Sequence, residues 1–279
     1  MTETVLHELL RTSLVDVFDL ASAGGTRESV CAARTQLRFP YRGSCLRHLD
    51  GSTVVADASQ VQFFNAGERG EVSHPHPDGD ASLVLTVDEA LLREIAPPAL
   101  LHDGEPPRFR EHRLGIDPRA QVLVALLRHS LHEGTADPLE AESLALTLVQ
   151  RAIGPRTAHA ASGSQSRQRL VDRAKRVLVG DLARRWTLAE VAAEVGVSAV
   201  YLTQSFREVE GVPLYRYQLR LRLARALDLL GEYDDLSALS HDLGFSSHSH
   251  FTAAFQQAYG RTPSEFRQSA LPPKNRAGS

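Results

Sequence analysis

The stretch LAEVAAEVGVS, residues 188–198, returns 48 residues later as LSALSHDLGFS, residues 236–246. Each copy runs on into a second helix-prone segment that ends at a glycine, Gly211 in one and Gly260 in the other. A short helix, a glycine turn and a longer helix form the layout of a helix-turn-helix, and repetition at a fixed offset predicts two such units in one chain. In the first copy Thr187 is placed to cap a helix, and Glu190 completes the capping-box spacing. Leu188, Val191, Ala192 and Val195 then share one face, Gly196 supplies the turn, and Ser198 caps the next helix. Leu202 and Phe206 point to the core, which leaves Val200, Thr203, Gln204 and Arg207 outward as candidate readers of base edges.

The second copy is built alike. Leu236, Leu239 and Leu243 form the stripe, Gly244 turns, and Ser246 or Ser247 caps. Phe251 and Phe255 anchor the helix, so Ser247, His248, Ser249 and Thr252 face outward. Between the copies, residues 213–230 predict a connecting helix with a stripe of Leu219, Leu223, Leu227 and Leu230. Arg216, Arg220, Arg222 and Arg225 add positive charge to it. Such a connector holds two readers about one turn of DNA apart, roughly 34 Å.

Charge supports the same reading. The chain of 279 residues carries a formal net charge of −3, but Lys and Arg number 15 against 22 Asp and Glu before residue 165. From residue 165 onward they number 16 against 12, the footprint expected of a nucleic-acid module on an acidic chain. A hydrophobic fraction of 42% is ordinary for a globular protein, and no apolar run reaches the roughly 20 residues that span a bilayer. The first residues lack the basic-then-apolar pattern of a secretory signal, so the expected location is the cytoplasm, at the nucleoid, with no membrane partner. Two cysteines, Cys31 and Cys45, exclude a disulfide framework and a four-cysteine zinc site. They are read as isolated buried thiols, with a redox pair as the alternative.

Ahead of the repeat, the small and polar residues 154–166 read as a linker. Short β-prone runs such as TVVA (53–56), VQFF (61–64) and SLVLTV (82–87) alternate with turn residues at 50–51, 65–67 and 78–80, which predicts a small antiparallel barrel or sandwich. Phe39, Tyr41, Phe63 and Phe64 are assigned to its core. Helices are predicted from Asp88 to Ile95, from Asp117-Pro118 to His132, and from Asp137-Pro138 to Ile153, the last two opened by an Asp cap with Pro at the first position. The pair is read as packing on the barrel or as a dimer interface.

Three stretches carry a resemblance to a known family: AAEVGVSAVYLTQSF (192–206), GVPLYRYQLRLRLARALDLL (211–230) and LGFSSHSHFTAAFQQAYGRTPSEFR (243–267). Together they resemble the AraC/XylS family of bacterial transcription regulators over residues 171–267. The resemblance implies an all-α DNA-binding domain of about seven helices with two helix-turn-helix motifs. By position, base contacts fall on Val200, Thr203 and Gln204, and on His248, Ser249 and Ala253. The family often places Arg at the position of Ala253 and Lys or Arg at that of Gln256, and this chain has neither. The second reader is therefore expected to be weaker, with His248 and His250 substituting in part when protonated.

Residues 56–80 resemble, more loosely, the cupin-type sensor barrels of the same family. The expected chain is thus α+β with two domains: a cupin-like antiparallel barrel with a helical hairpin, then the helical reader. The expected bounds are 1–153 for the sensor, with a dimerisation element over 115–153, 154–166 for the linker, 167–270 for the DNA-binding domain and 271–279 for a disordered tail. The expected partners are a double-stranded DNA operator, a small-molecule effector in the barrel and a second copy of the chain, with RNA polymerase as a further candidate. No cofactor and no catalysis are expected. His74 and His76 are candidates for effector or metal binding: on one strand they would form a chelate with His48 or Cys45, but the prolines beside them favour an irregular edge. The rival readings are a cupin-type metal-dependent enzyme fused to a DNA anchor, a DNA-repair protein, for which the cysteines are too few, and a DNA-binding structural protein without a ligand.

Overall fold

The computed structural model describes residues 4–49, 52–154 and 164–270. Most of the linker (155–163), the 50–51 turn and the tail 271–279 lie outside the described residues.

Among the described residues ten antiparallel strands lie ahead of the repeats: β1 (Val5–Arg11), β2 (Val15–Ser22), β3 (Thr26–Cys31), β4 (Gln36–Arg42), β5 (Cys45–Leu49), β6 (Ser52–Ala56), β7 (Gln60–Phe64), β8 (Arg69–His74), β9 (Asp80–Val87) and β10 (Arg113–Gly115). They form a six-stranded sheet in the order β1-β2-β9-β4-β7-β10 and a four-stranded sheet in the order β3-β8-β5-β6. The sheets face one another. Phe64 of the first packs with Val72 of the second, and Arg47 of the second reaches across to the Phe63 carbonyl of the first.

The two faces of the six-stranded sheet differ in chemistry. Its outer face carries Val17, Leu37, Phe39, Tyr41, Val61, Phe63, Leu83 and Leu85, which build the main apolar core with three helices. These are α1 (Glu89–Ile95), α2 (Pro118–His132) and α3 (Pro138–Ile153). Three of the four aromatic residues assigned to the barrel interior therefore lie on the opposite side of the sheet, and Phe64 alone of the four faces inward. Strand alternation explains the difference: Phe63 and Phe64 are adjacent, so they must point to opposite faces. The helix starts follow the sequence, with Asp88, Asp117 and Asp137 each accepting a backbone N–H of the first turn.

Among the described residues seven helices follow: α4 (Gln165–Gly180), α5 (Leu188–Glu194), α6 (Ala199–Glu210), α7 (Leu214–Leu229), α8 (Leu236–Asp242), α9 (His248–Tyr259) and α10 (Pro263–Ala270). Helix α4 begins at Gln165 with Ser164 as its cap, inside the stretch read as linker. The α5–α6 and α8–α9 pairs are the two repeats. Helix α7 belongs to both of their cores: Leu214, Tyr217, Leu221 and Ala224 pack with the first, and Leu223, Ala226, Leu227 and Leu230 with the second. Helix α2 is likewise shared. Ala120, Val124 and Leu127 pack on the sheet, whereas Ala125, with Val122 and Leu126, joins the core of the second repeat.

Candidate nucleic-acid interface

Each reading helix is fixed at both ends by the residues the repeat singled out. Ser198 accepts the Tyr201 N–H at the start of α6, and Gly211 ends it in the left-handed conformation at φ 69°. Ser247 accepts the His250 N–H at the start of α9, and Gly260 ends it at φ 77°. The capping box of Thr187 and Glu190 is complete.

On α6, Leu202 and Phe206 are fully buried, while Val200 is 68% exposed and Gln204 and Arg207 are exposed. Thr203 is half-buried, and its hydroxyl donates to the Ala199 carbonyl at 2.8 Å, so it offers a methyl group and lone pairs outward rather than a free donor. Tyr201 is exposed beside Val200, a position the sequence reading passed over. The available signal was a large apolar residue off the buried stripe. Leu188 departs in the same sense: it was assigned to the buried face of α5 and is exposed.

On α9, His248, Ser249, Ala253 and Gln256 are exposed and Thr252 is half-buried. The hydroxyl of Ser247 is engaged as the cap, which withdraws it from the outward set. The His248 ring lies 3.4 Å from the Thr252 hydroxyl, and His250 is tied back to the Ser246 hydroxyl at 3.1 Å with its ring edge-on to Phe245. Helix α9 carries no Lys or Arg.

The two readers are locked to one another. Arg222 of α7, read from sequence as a source of positive charge, donates instead to the carbonyls of Leu182, Ala183 and Arg184 before the first repeat and of Gly244 in the turn of the second. Arg185 adds a bond to the Phe245 carbonyl. At Gly244, φ is +78° and a Cβ would meet the Ala183 oxygen at 1.9 Å, so only glycine permits this approach. Gly196, the matching turn of the first repeat, has nothing within 4 Å of such a Cβ.

The sheet domain grips this assembly through buried polar pairs. Arg113 of β10 holds Asp172 of α4 at 2.7 and 3.3 Å, the Tyr217 hydroxyl of α7 donates to Asp57, and Arg128 of α2 holds Asp228 at the far end of α7 at 2.8 Å. Tyr259 at the end of α9 donates to Gln121 of α2 at 3.2 Å. Burial, then the Asp57 charge, pushes the Tyr217 hydroxyl well above the usual tyrosine range, so it stays a donor. A cleft of about 460 Å³ separates the domains beside these contacts, with Tyr41, Arg42 and His76 on one wall and Leu221, Arg225 and Leu243 on the other.

Polar side chains also meet between the two sheets. His74 is buried at the end of β8, with Nδ1 2.5 Å from Asp80 and Nε2 3.4 Å from Glu28. Burial opposes its protonation, but the hydrogen bond and charge of Asp80, joined by Glu28, outweigh burial and raise its pKa. His76 is not its neighbour on a strand face: the strand ends at His74, and His76 lines the cleft between domains. His48 bonds Ser73 and Thr53 instead of joining them. Among the described residues no three His, Cys, Asp or Glu gather as a metal site. Cys31 is exposed, against the expectation of a buried thiol, and both cysteines are free. None of the helices is long and apolar enough to cross a membrane, among the described residues.

Residues 191–269 match the family model described as a helix-turn-helix domain. An AraC-like transcription regulator of Streptomyces antibioticus is 28% identical over 229 residues, 80% of this chain and 72% of that protein. The transcriptional regulator LumQ of Photobacterium leiognathi is 26% identical over 189 residues, 64% of this chain and 71% of its own. The transcriptional activator CfaD of Escherichia coli is 33% identical over 96 residues, 34% of this chain and 36% of its own. Among solved structures, ToxT of Vibrio cholerae aligns over 94% of this chain and all of its own at 11% identity, with a TM-score of 0.36. The helix-turn-helix match over residues 191–269 and the curated relatives together support a transcription regulator of the AraC/XylS type, with two copies of the motif behind a β-rich domain.

Proposed function

We propose that the protein reads its operator with α6 and α9 and that a small molecule held between its sheets sets how the two are presented. The observation that carries this reading is the pinning of α7. The helix that joins both reader cores is held by the sheet domain near each end, through Tyr217–Asp57 and Asp228–Arg128. A change in the sheet domain therefore acts on both readers at once, provided the ligand binds one arrangement better than the other.

In the first reader Gln204 and Arg207 make the polar contacts, Val200 and Tyr201 supply apolar surface suited to a thymine methyl, and Thr203 adds its methyl. In the second, His248, Ser249 and Thr252 face the groove with Ala253, and Ser247 contributes its place at the helix start, where backbone N–H groups favour a phosphate. The sensor occupies residues 1–153 and the reader 167–270, with the helix start at Gln165 extending the latter. Because α2 is covered on its second face by this chain's own reader, dimerisation falls to the outer face of α3, where Leu139 is 72% exposed. RNA polymerase is the further partner of an activator.

Selection of bound DNA from a random pool with the purified protein tests the reading. The expected result is one enriched site whose stronger half depends on Gln204 and Arg207, and absence of enrichment overturns it. The enzyme reading has no such carrier, since the relatives named above are transcription regulators.

A further inference from the structure

The second helix-turn-helix is short of the charge that holding DNA requires. Residues 236–260 carry no Lys or Arg and one acid, Asp242, and the loop ahead of them adds Glu232, Asp234 and Asp235. The loop ahead of the first copy has the opposite sign, with Arg184, Arg185 and Trp186 standing 48 residues before Glu232, Tyr233 and Asp234. Affinity for a duplex comes largely from Lys and Arg on phosphates, so a reader with neither needs them from another part of the chain.

Two arginines from outside the second copy meet at its turn. The Arg185 guanidinium reaches across from the first loop, with Nη2 donating to the Phe245 carbonyl at 3.0 Å and Nε lying 3.4 Å from that of Gly244. Arg222 Nη1 donates to the same Gly244 carbonyl at 3.0 Å, so two cations share one acceptor. Among the described residues neither forms an ion pair, whereas Arg184 pairs with Glu190 and Arg225 with Asp228. Burial, then the charge of Arg185, lowers the Arg222 pKa, and Asp181 offsets only part of that effect. Like charges side by side repel one another, and an anion set against them relieves the repulsion. The two differ in what they have left to give. Arg222 is half-buried and donates through all three nitrogens to four carbonyls. Arg185 is exposed, and its Nη1 is uncommitted among the described residues.

We propose that Arg185, carried by the loop of the first copy, is the residue with which the second reader grips the DNA backbone, its Nη1 donating to a phosphate beside α9. Phe245, to which Arg185 is tied, stands two residues ahead of Ser247, the cap of α9. The N-terminal end of the second helix of such a motif is the end that enters the major groove, and phosphates flank that groove. The two carbonyls fix the guanidinium plane and leave its outer edge toward solvent, the arrangement that suits a phosphate oxygen. This rests on the operator reading above and adds a contact carried by neither α6 nor α9.

Gel-shift titration of the full chain against salt, on a duplex that the protein selects from a random pool, tests the proposal. Arg185→Gln is expected to weaken binding about tenfold near about 0.1 M salt and to reduce the slope of log affinity against log salt by about one, with the preferred sequence unchanged. Arg185→Met, which keeps the stem, serves if Arg185→Gln fails to fold. Arg185→Lys keeps the charge and is expected to keep most of the slope. A single neutral methylphosphonate, moved along the second half-site, is expected to weaken the wild type by the same factor at one position and to leave Arg185→Gln unaffected there. An enriched site bound equally by wild type and Arg185→Gln overturns the contact and leaves the operator reading standing. Weaker binding with an unchanged slope and no rescue by lysine makes Arg185 a brace for the turn and overturns it too. An A·T preference between the half-sites that Arg185→Gln erases places the side chain in the minor groove and overturns the phosphate. Failure of the wild type to enrich any duplex overturns the operator reading and the contact with it.

Discussion

Arg113 and Asp172 form a buried two-pronged ion pair across the boundary between the sheet domain and the reader, at 2.7 and 3.3 Å. Burial alone would lower the Arg113 pKa, and Asp172 reverses it by charge and hydrogen bond. Removing one partner strands the other in a site with little water. Asp172→Ala is expected to cost about 3–5 kcal/mol in urea unfolding, and the double change Arg113→Met with Asp172→Leu to recover most of it. Equal destabilisation by the single and double variants would count against a buried, coupled pair.

The two turn glycines should respond unequally to the same substitution. Gly196→Ala meets only the left-handed backbone, a cost of about 1–2 kcal/mol. Gly244→Ala meets that and the Ala183 carbonyl, and must also disturb the Arg222 clamp. Thermal melting of both variants is expected to show the larger loss at Gly244, together with weakened operator binding.

Reader inequality has a direct test in gel-shift titration on a selected site. Gln204→Ala is expected to cost about 1–3 kcal/mol of binding and relax preference at one position. Arg207→Ala should lower affinity and, if it meets a phosphate, reduce the salt slope by about one. His248→Ala and Thr252→Ala are expected to cost less than either. The opposite ranking would move the dominant half-site to α9.

The His74 pair with Asp80 and Glu28 predicts a pH signature in stability. Because the folded pKa is raised above the ordinary value of 6.5, its contribution is fully present below that value and is lost as pH climbs through the folded one. The stability advantage of the wild type over His74→Gln should therefore be larger near about pH 6 than near about pH 8.5. An advantage unchanged between the two pH values would show that the charged form is not the one being stabilised.

Local signals were the legible ones. The repeat, the Asp and Ser caps and the left-handed Gly211 and Gly260 all act within a turn or two of chain, where spacing alone constrains geometry. What sequence concealed was long-range or depended on which face a strand turns. Nothing near Arg113 announces a partner 59 positions away, and Arg222 reads as surface charge until its carbonyl partners from residues 182–184 and 244 are in place. Phe39, Tyr41 and Phe63 were identified as core, but a sheet has two faces, and only the helices packed on one of them decide which core. The second face of α2 was hidden for the same reason, since the surface that covers it is about a hundred residues further along.

Helix α7 contributes side chains to two apolar cores, and its anchor points at Tyr217 and Asp228 lie roughly 16 Å apart along its axis. Neither reader can swivel without opening a core. The two recognition elements then have one permitted phase on the double helix, and a single inserted base pair between half-sites would turn one of them away by about a tenth of a turn. Promoters under this regulator would therefore diversify by changing letters rather than spacing.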